Sequence, residues 1–221
     1  MLIDRQELQK YAKITDAQRK IRDGNDFIDD VMDRFLNGTH MTGIQLPFRT
    51  FDKVFRMREE EITVLVGING AGKSLFASML QNHAINQGYK CLSISMEMSP
   101  SSIIARQIRQ ATLQQHPTID GILAFAKWIK GKMYYYDQHG SVDSQTLGSV
   151  IRYAVDKFGV KFILVDSLMT MSFASDDWNS QKMVVGTLAN IARNLGVHIM
   201  LVCHARKGND IEKRLSRWDC A

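Results

Sequence analysis

The sequence predicts an α/β fold, in which a mostly parallel central sheet is covered by helices on both faces. From Glu61 onward, short apolar runs alternate with stretches of helical periodicity. The apolar runs are continuous rather than alternating, as in strands that are buried on both faces. The first run leads into the glycine-rich segment GINGAGKS at residues 67–74, and a predicted helix follows. A strand, a glycine-rich turn and a helix in this order indicate a phosphate-binding loop.

A short helical segment precedes the α/β region. A polar helix is expected over residues 4–22. A second, amphipathic helix is expected over residues 26–36, because apolar side chains recur there at helical spacing between aspartates. These apolar residues are Phe27, Ile28, Val31, Met32 and Phe35. We therefore divide the chain into a helical segment at residues 1–40 and an α/β core at residues 41–221.

The core is expected to begin with a loop at residues 40–48, which contains Gly43 and Pro47. The expected strands lie at residues 61–67, 90–96, 132–137, 161–166 and 197–203. The helices between them are expected at residues 74–86, from Pro100 onward, and at 119–130, 143–158 and 180–195. The aromatic run MYYY at residues 133–136 lies in a strand, so we interpret it as sheet packing rather than as a base-stacking surface.

Composition narrows the class of protein. The chain has 221 residues, of which 45% are hydrophobic and 23% are charged, as expected of a globular domain. No apolar run approaches the ~20 residues that span a bilayer, and the polar N-terminus lacks a signal peptide. Three separated cysteines without a Cys/His cluster indicate a reducing compartment and no zinc site. We expect a cytoplasmic protein without a membrane partner.

The glycine-rich loop is expected to bind ATP. Its backbone N–H groups and the positive end of the following helix would hold the β-phosphate. Lys73 would bridge the β- and γ-phosphates, and the Ser74 hydroxyl would ligate Mg²⁺. The residues expected to bind ATP are Gly67, Ile68, Asn69, Gly70, Ala71, Gly72, Lys73, Ser74 and Leu75.

Two acidic residues that follow apolar strands complete the predicted catalytic site. Asp166 ends the strand KFILVD, which is typical of the Walker B aspartate that orients Mg²⁺. The next residue is Ser167, so no acid is available there to activate water. Glu97 follows the strand after the phosphate loop, at the sheet edge where ligands bind in α/β proteins. We therefore predict that Glu97 orients the attacking water.

The ordered segments of the core resemble the RecA-like ATPase core of DnaB-type hexameric replicative helicases, including their phage and Twinkle-like members. The similar segments are TGIQLPFRTFDKVFR, RMREEEITVLVGINGAGKSLFASML, SISMEMSPSSIIARQ, FILVDSLMTM and NIARNLGVHIMLVCHARKG, within residues 40–210. The third places an arginine, Arg106, on the helix after Glu97. The fourth departs from the family at Ser167, where an aromatic residue is usual. The fifth places His204 as a γ-phosphate sensor, whereas strand-end position alone favours a hydrogen-bonded structural histidine.

The resemblance also implies partners: a homohexamer, single-stranded DNA, and a primase or loader, in a bacterial or phage-infected cell. The family's channel-facing loop corresponds to residues 171–180, where Trp178 could stack on a base and Lys182 follows. This segment is acidic rather than basic, so a plain surface loop is the alternative. The net charge is +5, and residues 206–217 carry five bases against two acids. There, Arg206 and Lys207 would contact DNA or a neighbour's nucleotide, or lie in solvent.

The sequence also departs from the family in two respects. Only about forty residues precede the core, where the family carries a primase-related domain, and no arginine finger is evident after His204. We interpret the chain as a core lacking its C-terminal strands, which would hydrolyse ATP slowly in isolation. Helix 26–36 would dock on the next subunit or fold back on its own domain. The leading hypothesis is a DNA helicase ATPase core; the alternative is a nucleotide-dependent loader or regulatory module that binds a partner without unwinding DNA.

Overall fold

The computed structural model describes residues 22–36, 42–138, 140, 142–167 and 178–204. The chain divides into two compact units, Met1–Met41 and Thr42–Ala221. The polar helix expected over residues 4–22 lies almost entirely outside the described residues. Among the helices that the structure describes, none is both long and apolar enough to cross a bilayer.

The first unit contains the predicted amphipathic helix. A 3₁₀ turn, Gly24–Phe27, leads into helix α1, Ile28–Leu36. Asp23 caps the turn by accepting a hydrogen bond from the backbone N–H of Asn25 at 2.8 Å. The apolar residues of the predicted stripe, Phe27, Ile28, Val31, Met32 and Phe35, are exposed. The helix therefore presents an apolar face that nothing in its own unit covers among the described residues.

The second unit is built on a five-stranded sheet in which every pairing is parallel. Its strands are β1 (Ile62–Gly67), β2 (Cys91–Ser95), β3 (Met133–Tyr136), β4 (Phe162–Asp166) and β5 (His198–His204). The strand order across the sheet is β1-β5-β4-β2-β3. All residues of the inner strands β2 and β4 are buried, which confirms the prediction made from their continuous apolar character.

Helices cover both faces of this sheet, as predicted. They are α2 (Lys73–Asn86), α3 (Pro100–Thr112), α4 (Ile119–Ile129), α5 (Ser144–Phe158) and α6 (Trp178–Leu195). Along β4, Ile163 and Val165 join the core formed with α5 and α6. Phe162 and Leu164 point the other way, into the core formed with α2. This alternation follows from the two-residue period of a strand.

The aromatic run of β3 packs within the sheet, as the sequence analysis indicated. The Tyr134 ring stacks on Phe158 with centroids 4.2 Å apart. The Tyr135 hydroxyl donates a hydrogen bond to Oε1 of Gln107 at 2.5 Å. Met133 is buried in the core on the α2 side. These contacts account for all but the last residue of the run.

The segment leading into the sheet is fixed by a short antiparallel bridge between Ile44 and Met57, both almost fully buried. Gly43 precedes the bridge with a φ of +106°, a conformation that favours glycine. A Cβ atom at Gly43 would lie 2.6 Å from the carbonyl oxygen of Met57. The bridge therefore requires glycine at this position for both backbone and steric reasons.

We expect Gly43→Ala to destabilise the protein more than Gly88→Ala. Both glycines have a positive φ, but a Cβ at Gly88 would meet no atom within 4 Å. Gly88→Ala should therefore show only the left-handed backbone cost of about 1–2 kcal/mol. Gly43→Ala should add a steric cost of roughly 1–3 kcal/mol. Urea unfolding of both variants measures the difference, and equal losses would contradict the assigned clash.

Candidate active site

The candidate site lies at the carboxyl ends of four neighbouring strands. Gly67 at the end of β1 is paired with His204 at the end of β5. Asp166 at the end of β4 is paired with Val202 of β5 and with Ser95 of β2. Because parallel strands end at the same edge, side chains far apart in the sequence meet here.

The phosphate-binding loop connects β1 to α2. Gly70 and Gly72 adopt positive φ angles of +79° and +82°, which allow the sharp turn into the helix. Gly72 occupies the N-cap position of α2, and no side chain caps the helix N-terminus. The first N–H groups of α2 and its positive dipole end are thus available to an anion. This local structure is the one that the motif predicts.

Lys73, the first residue of α2, is buried and makes three contacts. Its Nζ donates to the carbonyl oxygens of Gly67 and Ile68, at 2.7 and 2.9 Å. Nζ also lies 3.2 Å from Nδ1 of His204. A lysine ammonium can only donate, so Nδ1 of His204 accepts and is unprotonated. The proton of a neutral His204 ring is then carried by Nε2.

Nε2 of His204 lies 3.3 Å from Oε1 of Glu97. With the tautomer fixed by Lys73, this contact is a hydrogen bond from the ring N–H to the carboxylate. The same Oε1 atom accepts a bond from the Ser167 hydroxyl at 2.8 Å. A continuous chain of contacts therefore runs from Lys73 through His204 and Glu97 to Ser167. Glu97 remains open to the cleft, since its side chain is 43% exposed.

Asp166 is buried beside Ser74. Burial is the main influence that raises the pKa of its carboxyl group, and the nearby Glu97 raises it further. A hydrogen bond from the Ser74 side chain and the positive charge of Arg106 act in the opposite direction. Within the described part of the chain, the Oδ1 atom of Asp166 is buried without a hydrogen-bond partner.

This pair fits a hard divalent cation. A hydroxyl and a carboxylate supply the oxygen ligands such an ion prefers, and Mg²⁺ in phosphate sites takes few protein ligands. The described residues contain no cluster of three or more His, Cys, Asp or Glu side chains that could hold a metal alone. The donor set therefore suits an ion that shares its coordination with a phosphate.

These groups line a cleft of about 500 Å³. Its lining residues are Asn69, Gly70, Gly72, Lys73, Ser74, Leu75, Glu97, Arg106 and His204. Most of the predicted ATP-binding residues thus border one cavity, while Gly67 and Ile68 contact Lys73 through their carbonyl groups. The remaining loop residue, Ala71, donates its backbone N–H to the carbonyl of Ile68 at 3.2 Å.

Two residues of the site received no role from the sequence. Arg106 was noted only as an arginine on a helix, and its guanidinium reaches the cleft with Nη2 2.7 Å from Sδ of Met98. Ser167 was noted only as a departure from a family pattern. Its position directly after a predicted Walker B aspartate was the one signal in the sequence that placed it near Glu97.

The structure brings the predicted nucleic-acid contacts no closer to this cleft. Lys182 is exposed on α6 and is not among the residues that line the cleft. The side chain of Trp178, and the whole of Arg206 and Lys207, lie outside the described residues. Their assignment as contacts for DNA or a neighbouring subunit stays a prediction.

Comparison with known proteins places this geometry in context. Residues 41–217 match the family model described as "ATPase: KaiC". A DnaB-like replicative helicase, studied with its interactions with primase, superposes with a TM-score of 0.69 at 16% identity. The match covers 89% of this chain and 52% of the helicase, so the chain spans about half of that protein's length.

A second solved structure, the ATPase domain of another protein, superposes with a TM-score of 0.73 at 18% identity. That match covers 90% of this chain and 78% of the other. At these identities the likeness concerns the fold. It confirms the expected RecA-like architecture of the core.

We expect Lys73→Ala to lower affinity for ATP by at least about tenfold, because it removes a charge-assisted donor from the phosphate site. The matched control is Lys90→Ala. Lys90 donates to the carbonyl of Phe158 at 2.8 Å and precedes β2, at the opposite end of the sheet. Titration with a fluorescent ATP analogue measures both variants. Equal affinities in the two variants would contradict the assigned role of Lys73.

Proposed function

The chain belongs to the KaiC family of ATPases, and we propose that it is the ATP-hydrolysing core of a DnaB-like replicative helicase that moves along single-stranded DNA. The family and the RecA-like fold make it a P-loop ATPase. One observation carries the finer assignment: the carboxylate facing the cleft is Glu97, after β2, while Asp166 is followed by a serine. This arrangement is the one that the resemblance to DnaB-type helicases implied.

The residues of the cleft have distinct roles in the proposed hydrolysis. The N–H groups of the loop and of α2 hold the β-phosphate, and Lys73 bridges the β- and γ-phosphates. Ser74 and Asp166 would hold Mg²⁺, which neutralises charge on the phosphate oxygens. Glu97 orients a water for in-line attack on the γ-phosphate and accepts its proton.

His204 is suited to sense the γ-phosphate because it contacts two catalytic groups at once. One ring nitrogen accepts from Lys73, and the other donates to Glu97. A γ-phosphate that attracts the ammonium of Lys73 changes the first contact, and the ring can transmit that change to the second. The alternative interpretation, a purely structural histidine, is less consistent with contacts to two groups of the site.

Stabilisation of charge in the transition state requires an arginine. We propose that an adjacent subunit supplies the arginine finger, so that the isolated chain hydrolyses ATP slowly and assembly accelerates it. An arginine finger contributes on the order of 10³ in rate or more. Arg106 adds a positive charge in the cleft from the chain itself, and its influence on the Asp166 pKa supports a location close to the cation site.

Assembly is proposed to use the apolar face of α1. Exposed Phe27, Val31 and Phe35 would dock on the core of the next subunit in a homohexamer. Folding back onto the chain's own core is the alternative. The DnaB-like relative interacts with primase, which supports a primase or loader as partner. A cytoplasmic location in a bacterial or phage-infected cell is part of the same proposal.

A second candidate is a nucleotide-dependent loader or regulatory module that binds a partner protein without unwinding DNA. It is favoured by one observation, the acidic character of the segment that would face DNA. Asp176 and Asp177 lie there, and the nearest base described, Lys182, is on α6. Negative charge in a channel loop repels the phosphate backbone of DNA.

For the helicase core we expect ATP-dependent assembly and salt-sensitive binding to single-stranded DNA. Light scattering with and without ATP measures assembly, and binding to a labelled oligonucleotide between ~50 and ~200 mM salt measures the electrostatic contribution. A ring that binds DNA, with affinity that falls as salt rises, supports the helicase. A monomer that is indifferent to DNA supports the regulatory module instead.

We expect Glu97→Gln to retain ATP affinity and to lower turnover by about 10²-fold or more, because the amide cannot accept the proton of the water. The matched control is Glu59→Gln. Glu59 forms an exposed ion pair with Lys161 and does not line the cleft. Phosphate release and ATP binding are measured for both. Full turnover in Glu97→Gln would exclude Glu97 as the water-activating group.

A further inference from the structure

We propose that Ser167 is a positioning residue that holds one oxygen of Glu97, so that the other oxygen is directed to the attacking water. The inference rests on the proposed role of Glu97. It assigns to the residue after the Walker B aspartate a function in aiming the base that lies on a neighbouring strand.

The backbone fixes the two residues relative to each other. β2 and β4 are adjacent, and Ser95 is paired with Asp166 at their carboxyl ends. The pairing continues one step further, since the N–H of Met96 donates to the carbonyl of Asp166 at 3.0 Å. Glu97 and Ser167 are the next residues on each side. Neither partner of their hydrogen bond therefore depends on a long loop for its position.

Ser167 is well placed to restrict the carboxylate. The residue is 0% exposed, so water does not compete for its hydroxyl. A buried hydroxyl that loses its hydrogen bond is costly, which favours a persistent bond to Glu97. The donor–acceptor distance of 2.8 Å is typical of a bond from a hydroxyl to an oxygen.

Both hydrogen bonds to Glu97 end on the same atom. Oε1 accepts from Ser167 and from Nε2 of His204. Among the described residues, no hydrogen bond to Oε2 is formed. The carboxylate therefore has one oxygen held from two directions and a second oxygen that is available to a water in the cleft. Ser167 determines the orientation of the group, and His204 connects it to the phosphate side.

Ser167→Ala tests this assignment. We expect kcat for ATP hydrolysis to fall by roughly tenfold, as for the loss of one hydrogen bond to a charged group. KM and ATP affinity should stay within about twofold, because the bond does not touch the phosphates. Ser167→Thr, which keeps the hydroxyl, should recover most of kcat. If Ser167→Ala fails to fold by circular dichroism, Ser167→Cys replaces it, since a thiol is only a weak donor.

Ser93→Ala is the matched control. Ser93 is a buried serine of β2 whose Oγ has no hydrogen-bond partner within the described part of the chain, so its removal should leave kcat unchanged. An unchanged kcat in Ser167→Ala, or a parallel loss of ATP affinity, would overturn the positioning role. Glu97→Gln in the same assay separates the two proposals. If it retains turnover, the proposed function fails; if it abolishes turnover while Ser167→Ala is fully active, only the present inference fails.

Discussion

The parallel pairing of β4 with both of its neighbours is the constraint on which the site depends. Asp166 is held between Val202 of β5 and Ser95 of β2. A slip of one residue would turn every side chain of β4 to the opposite face and remove Asp166 from Ser74. The fully buried, two-faced packing of β4 makes such a slip costly. The precision of the catalytic geometry is thus the precision of the central strand register.

Local patterns in the sequence were sufficient for the elements but not for their arrangement. Apolar runs, Pro100 and the glycines of the phosphate loop predicted each strand and helix close to its observed limits, because these signals act within a few residues. The neighbourhood of β1 and β5 depends on pairing between distant segments, so the Lys73–His204 contact could not be predicted. For the same reason Ser167 looked like a departure from a pattern, although the structure places it against Glu97.

The charges of the cleft are arranged so that a cation relieves an existing conflict. Burial and Glu97 raise the pKa of Asp166, which means that its ionised form is disfavoured in the folded protein. A divalent ion between Ser74 and Asp166 would stabilise the ionised form and displace the proton. Cation affinity should therefore weaken as the pH falls through the raised pKa. Proton and metal compete for one carboxylate, and nucleotide binding is linked to that competition.

The pairing of Gly67 with His204 has a consequence for the integrity of the whole domain. The groups that contact phosphate are contributed by the first and last strands of the described sheet, so no partly folded form contains a complete site. Nucleotide binds the native sheet and not its fragments, and at a hundredfold excess over Kd it adds about 2.7 kcal/mol to the free energy of unfolding. Cellular ATP would then act as a structural ligand, and the protein would be most vulnerable to proteases when nucleotide is depleted.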